Sequence, residues 1–590
     1  MLSHLLTVPV SQVQRRILWL ALIVTVSFAL WGQSSSDIAV AVWTQHNDNA
    51  RTGNYSSETT LTPSTVSQAR FGKLFTYVLD DQTYSQPLYV PALKIAADGK
   101  MHNVVFMTTV NNTVYAFDAD SNKSNGGFPL WKRSLTPSGA RAPTAADLSG
   151  LGACNRQYHD FAGNMGIVGT PVIDTLSNTL YVVARTVETK RWVQRLYALD
   201  LSSGTDRHEP VAIAAVYHGA SFDPVLNNQR PALALVNGIV YIGWSSHCDF
   251  GPYHGWIIAY KASDLSQVAA WSTTAFAGGS QGGIWQSGQA AAADPSGNIY
   301  LSTGNGTWDG RRDFGMSSVK LSLGANKEMN VKDFFTPSNY LELTSIDFDF
   351  GSAGILLIPG TKLLVGGDKQ GKLFVMSSEH MGGMNEDGPD DIVQEFQIRP
   401  AVPPAPPGAT KHNHGAPVYF DDGSHKYIYV WGENDFLRAF EFYGEGQKPP
   451  FNTTTAAAST VRSPQFYLGM PGGFLSISSN QHADGIVWAM TPYACNANQI
   501  VEPGILYAFD ASRFEGPNPT KNMVELWDSR QKQDRDDVGY FAKFTSPTIA
   551  NGRVYVASWG DVPANGGKCS DSSVPGNKGQ LVVYGILDSD

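Results

Sequence analysis

The sequence predicts an all-β fold: an eight-bladed β-propeller of four-stranded antiparallel blades, closed by an N-terminal strand. Three observations predict it. One unit recurs eight times, each copy but the last carries four strand-sized apolar runs, and one strand near the N-terminus has no unit of its own. Composition agrees, because 58 glycines, 33 prolines, 11% aromatic residues and only 16% charged residues suit short strands and tight turns better than long helices.

In chain order, Arg15 and Arg16 precede the apolar run "ILWLALIVTVSFALW" (residues 17–31), and the polar "GQSSSD" follows it. That is the layout of an export signal, and the run is shorter than the roughly 20 apolar residues of a spanning helix. "AVA" at residues 39–41 offers a cleavage site. Residues 1–41 are therefore expected to be a signal peptide, with an uncleaved anchor as the alternative. Residues 42–590 are expected to form a single propeller domain in the periplasm or outside the cell, as a monomer. Any membrane contact is expected only through an uncleaved N-terminal segment. The four cysteines (Cys154, Cys248, Cys495, Cys569) fit two disulfides in an oxidising compartment, with the pairing left open. No Cys-x-x-Cys-His occurs, which speaks against a covalent c-type haem. A net charge of -10, without a Lys/Arg-rich stripe, speaks against a nucleic-acid partner.

The orphan strand is "FGKLFTYVL", beginning at Phe71. The units then start near Ser85, Gly169, Arg230, Gly282, Ala353, Gly415, Gly472 and Thr545, each opening on a "TPV" or "GAP"-like step and running through a "VYV" strand to "LYAFD". The last unit lacks a fourth strand after "QLVVYGIL", and the orphan strand supplies it. A single blade cannot bury both of its faces, so radial packing is the expected solution. The spacing of roughly sixty to eighty residues exceeds the about 40–50 of common propeller repeats, so several blades carry long loops. The Pro-rich stretch at residues 399–415 reads as a rigid inter-blade connector. Within "AFDAD…LW", the Asp suits a turn cap and the Trp a wedge between blades.

The "AFDA…G…LW" repeats resemble those of pyrroloquinoline quinone (PQQ)-dependent quinoprotein alcohol dehydrogenases. "GGIW…DPSGNIYLSTGNGTW" (residues 282–308) is similar to that family's most specific segment. The resemblance implies that Trp285 stacks on a planar quinone and that Asn305 gives its amide oxygen to Ca²⁺. "SIDFDFGSAGILL" resembles the segment of the general base, which makes Asp349 the first choice and Asp347 the second. "GGDKQGKLFVM" implies Lys369 against the quinone oxygens, and "SHCDFGPYHGWIIAY" implies Asp249 as a calcium carboxylate. These positions fall in successive units, as one axial site requires. Both residue types suit the chemistry, since an indole face takes a flat ring and a hard cation takes carboxylate and amide oxygens. The implied activity is oxidation of an alcohol or sugar with an external electron acceptor. Two features depart from the family: the adjacent cysteine pair is missing, with only Cys154 nearby, and "PGGFLSISSN" lacks an Asn-Trp pair.

Other readings remain. The fold also suits a non-catalytic propeller that binds a protein or glycan, or a polysaccharide-active enzyme with an acidic axial mouth. Convergence of Asp249, Asn305 and Asp349 near Trp285 and Lys369 is the discriminating geometry. His412 and His414 in "KHNHG" would face one side of an extended strand, but no further ligand has a recognisable spacing. "DRDD" (residues 534–537) reads as a solvated charge run.

Overall fold

Strands buried on both faces are the dominant element. In the first array the strand Thr113–Asp118 is buried at every position, and only the last strand, Trp131–Ser134, alternates towards solvent. Such a sheet must pack both faces, which is why its inner strands read as continuous apolar runs rather than alternating ones. The computed structural model describes residues 40–276, 278–399, 409–517, 521–562 and 578–588. The expected export signal, Cys569 and most of the Pro-rich connector lie outside the described residues. Among the described residues, no helix is long and apolar enough to cross a membrane.

Six sheets each contain four strands in up-and-down antiparallel order, and a nine-stranded sheet contains two more such arrays joined edge to edge through Ala458 and Asn522. The arrays begin at Leu88, Val172, Ala234, Ala292, Leu356, Val418, Phe474 and Thr548, a few residues after the eight sequence units. Phe71–Val78 pairs antiparallel with Gln580–Ile586, from Phe71 opposite Ile586 to Val78 opposite Gln580. The orphan strand thus becomes the fourth strand of the last array. Many four-stranded antiparallel sheets of this kind, with little helix, match a β-propeller.

The apolar clusters bridge neighbouring arrays. Val104 of the first shares a cluster with Leu180 of the second, Tyr181 of the second with Ile242 of the third, and Trp271 of the third with Leu301 of the fourth. One larger cluster takes in Trp488, Val554 and Val105, from the seventh, eighth and first arrays. The repeat tryptophans sit in these seams. Trp131 donates its Nε1–H to the carbonyl of Leu201 at 2.8 Å, and Trp527 packs edge-on against Phe71 at 5.0 Å. The repeat aspartates close turns, with Asp118 Oδ1 accepting the Asp120 N–H at 2.9 Å. The charge run at residues 534–537 departs from expectation. Asp536 is fully buried, because its carboxylate pairs with Arg535 and accepts the Lys73 N–H at 3.0 Å, fastening the Phe71–Val78 strand.

The segment "VWTQHNDNARTG" (residues 42–53) explains how the arrays are gathered. Its backbone pairs with Tyr89 of the first array and bonds Ile173 of the second, Ala293 of the fourth, Leu357 of the fifth, Tyr419 of the sixth and Ile477 of the seventh. The Asn49 side chain reaches Leu235 of the third at 3.1 Å, and His46 Nε2 lies 3.2 Å from Ser546 Oγ, just ahead of the eighth. Each contact falls on or beside the first strand of its array. One short segment thus makes contacts on or beside the first strand of each of these arrays.

Candidate functional site

The residues just ahead of several first strands line a cavity of about 360 Å³, a size suited to a small ligand. Asp249, Trp285, Asp347, Asp349 and Lys369 all border it. Asn305 joins them through hydrogen bonds. Its backbone N–H donates to Asp349 Oδ1 at 3.0 Å and its Nδ2 donates to Asp347 Oδ1 at 2.6 Å. All six residues singled out in the sequence therefore meet in one place.

The glycines of residues 282–310 make this meeting possible. A Cβ on Gly304 would lie 2.6 Å from Asp349 Oδ1, so only glycine lets that carboxylate reach the Asn305 amide. Gly282 has φ +73° and would place a Cβ 2.6 Å from Thr273 Oγ1. Beyond Trp285 the chain turns through Gln286 (φ 42°) and Ser287 (φ 45°), and Cys248 (44°), Asp249 (53°) and Asp347 (59°) are likewise left-handed. Such backbone costs on the order of 1–3 kcal/mol per residue and gathers at functional sites. Buried side chains hold it here: Gln286 Oε1 accepts the Ser302 N–H at 2.7 Å, and Ser287 Oγ donates to the Ser352 carbonyl at 2.7 Å.

Lys369 is the electrostatic centre of this wall. Its Nζ lies 2.8 Å from Asp349 Oδ2 and 3.2 Å from Asp347 Oδ2, and 5.9 Å from the centroid of the Trp285 ring. Burial pulls its pKa down, but the Asp349 and Asp347 carboxylates outweigh burial and hold it above the usual lysine value. Asp249 opens onto the cavity, yet protein surrounds it closely enough that desolvation raises its pKa, with the nearby Asp349 and Asp347 charges adding to the rise. Tyr253 donates its hydroxyl to Asp249 Oδ1 at 2.5 Å.

Sequence reasoning missed the opposite charge. Arg230 and Lys543 also line the cavity. Arg230 lies 5.1 Å from the Phe544 ring and 5.8 Å from the Tyr84 ring, and its Nη2 is buried without a hydrogen-bond partner among the described residues. Lys543 donates to the carbonyls of Asp160 (2.7 Å) and Asn498 (2.5 Å), and burial pulls its pKa down to about 8. A usable signal existed: both residues stand just before the Pro that opens a unit, in "RP" and "KFTSP".

A disulfide borders the site as well. Cys154 pairs with Cys248, 94 residues away, and Cys248 lines the cavity beside Asp249. No adjacent pair was possible from the sequence, but two distant loops meet to put a cystine on the wall. Cys495 is also disulfide-bonded. The neighbouring His247 anchors this loop, lying 2.9 Å from Arg185 Nη1 and 2.8 Å from the hydroxyl of Tyr158, which itself lines the cavity. The pair His412 and His414 also gains a third partner that spacing did not reveal. Glu433 lies 2.8 Å from His414 Nε2 and 3.5 Å from His412 Nδ1.

The donor set can be weighed against the groups the family resemblance implies. Asn305 Oδ1 is buried and has no hydrogen-bond partner among the described residues, while its N–H and Nδ2 bond Asp349 and Asp347, two carboxylates whose charges Asp249 also feels. Oxygen donors of this kind fit Ca²⁺. The indole of Trp285, the ammonium of Lys369 and the unpartnered Arg230 nitrogen fit a flat anionic quinone.

Neither a protein-family model nor a curated protein matches the sequence. Solved structures do. A quinohemoprotein alcohol dehydrogenase from Pseudomonas putida matches with TM-score 0.55 and 14% identity over 93% of this chain and 81% of that one. That of Comamonas testosteroni gives 0.55 and 14% over 95% and 82%, and a europium-containing methanol dehydrogenase gives 0.52 and 12% over 92% and 98%. At these identities the likeness speaks for the fold, and the chain has the β-propeller fold of these quinoprotein dehydrogenases.

Proposed function

We propose that the protein is an exported, monomeric, eight-bladed quinoprotein-like propeller, closed by the Phe71–Val78 strand, that oxidises an alcohol or sugar with PQQ and Ca²⁺. The pairing of Phe71–Val78 with the last strand and the cluster spanning the seventh, eighth and first arrays support the closed ring. The unpartnered Asn305 Oδ1 among carboxylates, beside the Trp285–Lys369 pair, carries the functional reading. In this reading Trp285 stacks on the quinone, and Lys369 and Arg230 hold its oxygens and carboxylates. Asp249 and Asn305 ligate the calcium ion. Asp349, or Asp347 as the alternative, accepts the substrate's hydroxyl proton. When bound, the quinone supplies a two-electron acceptor and the calcium ion a Lewis acid. An external acceptor then reoxidises the cofactor.

One observation favours the rival, a non-catalytic propeller that binds a protein or glycan. Asp349 is already committed to Lys369 and to the Asn305 N–H, so both of its oxygens are engaged by the protein rather than open to a substrate hydroxyl. Reconstitution separates the two. PQQ and Ca²⁺ are added to the full chain and dye reduction is followed with a panel of alcohols and sugars. Saturable reduction supports the dehydrogenase, and none, with no PQQ-dependent rise in melting temperature, leaves the binding propeller.

A further inference from the structure

We infer that His412, His414 and Glu433 form a site for a divalent d-block cation of the zinc class on the wall of the same cavity. The argument starts from proximity: His412 and His414, two residues apart just ahead of the strand Val418–Asp421, hold their ring centroids 5.9 Å apart. The turn after the strand Lys426–Val430 then brings Glu433 alongside, and its N–H donates to the His412 carbonyl at 2.9 Å. One ligand atom from each of the three residues lies within 4.8 Å of the others. Two imidazole nitrogens and one carboxylate are the donors of His₂Glu zinc sites and of related Fe²⁺, Co²⁺ and Ni²⁺ sites, whereas Ca²⁺ prefers oxygen throughout.

The surroundings fit a bound ion. Thr410 donates its hydroxyl to Glu433 Oε2 at 2.5 Å, and Ser287 Oγ lies 3.5 Å from His414 Nδ1, partners that orient ligands from behind. His412 Nδ1 lies 3.5 Å from Glu433 Oε2 and its Nε2 is buried with no hydrogen-bond partner among the described residues, so neither nitrogen is held by a short hydrogen bond that an ion would have to break. Both histidines line the cavity while Glu433 is 1% exposed behind them. The remaining coordination positions therefore open into the cavity, where a water or an oxygen of the cavity's occupant completes the shell. The inference is independent of the quinone reading, since it uses nitrogen donors and needs no oxidoreductase activity.

The test uses the tag-free, chelator-treated full chain, titrated with Zn²⁺ by calorimetry and with Co²⁺ by visible absorption. Saturable binding at one equivalent is expected, undisturbed by excess Ca²⁺ and by the Asn305→Ala substitution. His412→Gln, on the cavity wall, should weaken Zn²⁺ by about tenfold or more without lowering the metal-free melting temperature. Absence of saturable binding, or binding that His412→Gln leaves intact or that Asn305→Ala abolishes, would overturn the inference. Should His412→Gln fail to fold, pulsed EPR of the Cu²⁺-loaded wild type decides: modulation from two imidazoles supports the site, and from one or none overturns it.

Discussion

Two buried arginines mark the difference between the segment that gathers the arrays and the cavity beside their first strands. Arg51 donates from all three nitrogens: Nε and Nη2 to the Ala291 carbonyl at 3.1 and 2.8 Å, and Nη1 to Thr44 Oγ1 and the Gln45 carbonyl at 2.8 and 2.9 Å. Arg230 is buried as well, but it faces aromatic rings and leaves Nη2 without a partner among the described residues. Burial pulls both down to about 10. A buried guanidinium with every nitrogen bonded is a structural tie, and one with a nitrogen unbonded is poised for a ligand.

The largest expected effect breaks the first member of that comparison. Arg51→Met leaves the Ala291 and Gln45 carbonyls unpaired at the convergence of the arrays. It should cost on the order of 4 kcal/mol in chemical denaturation, with ligand affinity unchanged in the folded fraction. Arg230→Met should do the reverse: stability holds or rises, because an unpaired buried charge is removed, while PQQ affinity measured by calorimetry falls about tenfold or more.

Gly304→Ala is expected next in size. The new Cβ forces Asp349 away from the Asn305 N–H and should cost about 1–3 kcal/mol, with calcium affinity falling in parallel and Zn²⁺ affinity untouched. The smallest effect is a pH dependence. The lowered Lys543 pKa means the ammonium is present below about 8 and lost as pH rises through it. Affinity for an anionic ligand should therefore be flat up to about pH 7 and fall by pH 9, and Lys543→Gln should flatten the profile. The linked stability runs the other way. Between about 8 and the ordinary lysine value of 10.5 the unfolded chain binds the extra proton, so this group's contribution to stability rises with pH.

Much of the fold was legible because each unit announces its own strands and turns, and Phe71–Val78 was recognisable as the strand left over. The site was legible where residues sit in a motif: Trp285, Asn305 and Lys369 come with glycine turns that fix their placement. Glu433 was not, because a hairpin of its own array has to fold before it meets His412 and His414, and Arg230 and Lys543 were not, because each is a single polar residue whose neighbours in the cavity come from other arrays. The buried Asp536 misled for the same reason. Its partner Lys73 is 463 residues away, and a charge run looks solvated until the strand that covers it is known. Disulfides were legible from the even cysteine count, but the Cys154–Cys248 pairing was not, since two loops from different units build it.

The central claim is that the cavity takes a planar anionic quinone together with a hard cation, and calorimetric titration of PQQ into the full chain with and without Ca²⁺ tests it most directly. The account predicts one saturable site that needs Ca²⁺, quenches tryptophan fluorescence in the wild type but not in Trp285→Ala, and is lost on chelation. Titrations that show no heat and no shift in melting temperature, with Ca²⁺ present, would contradict it.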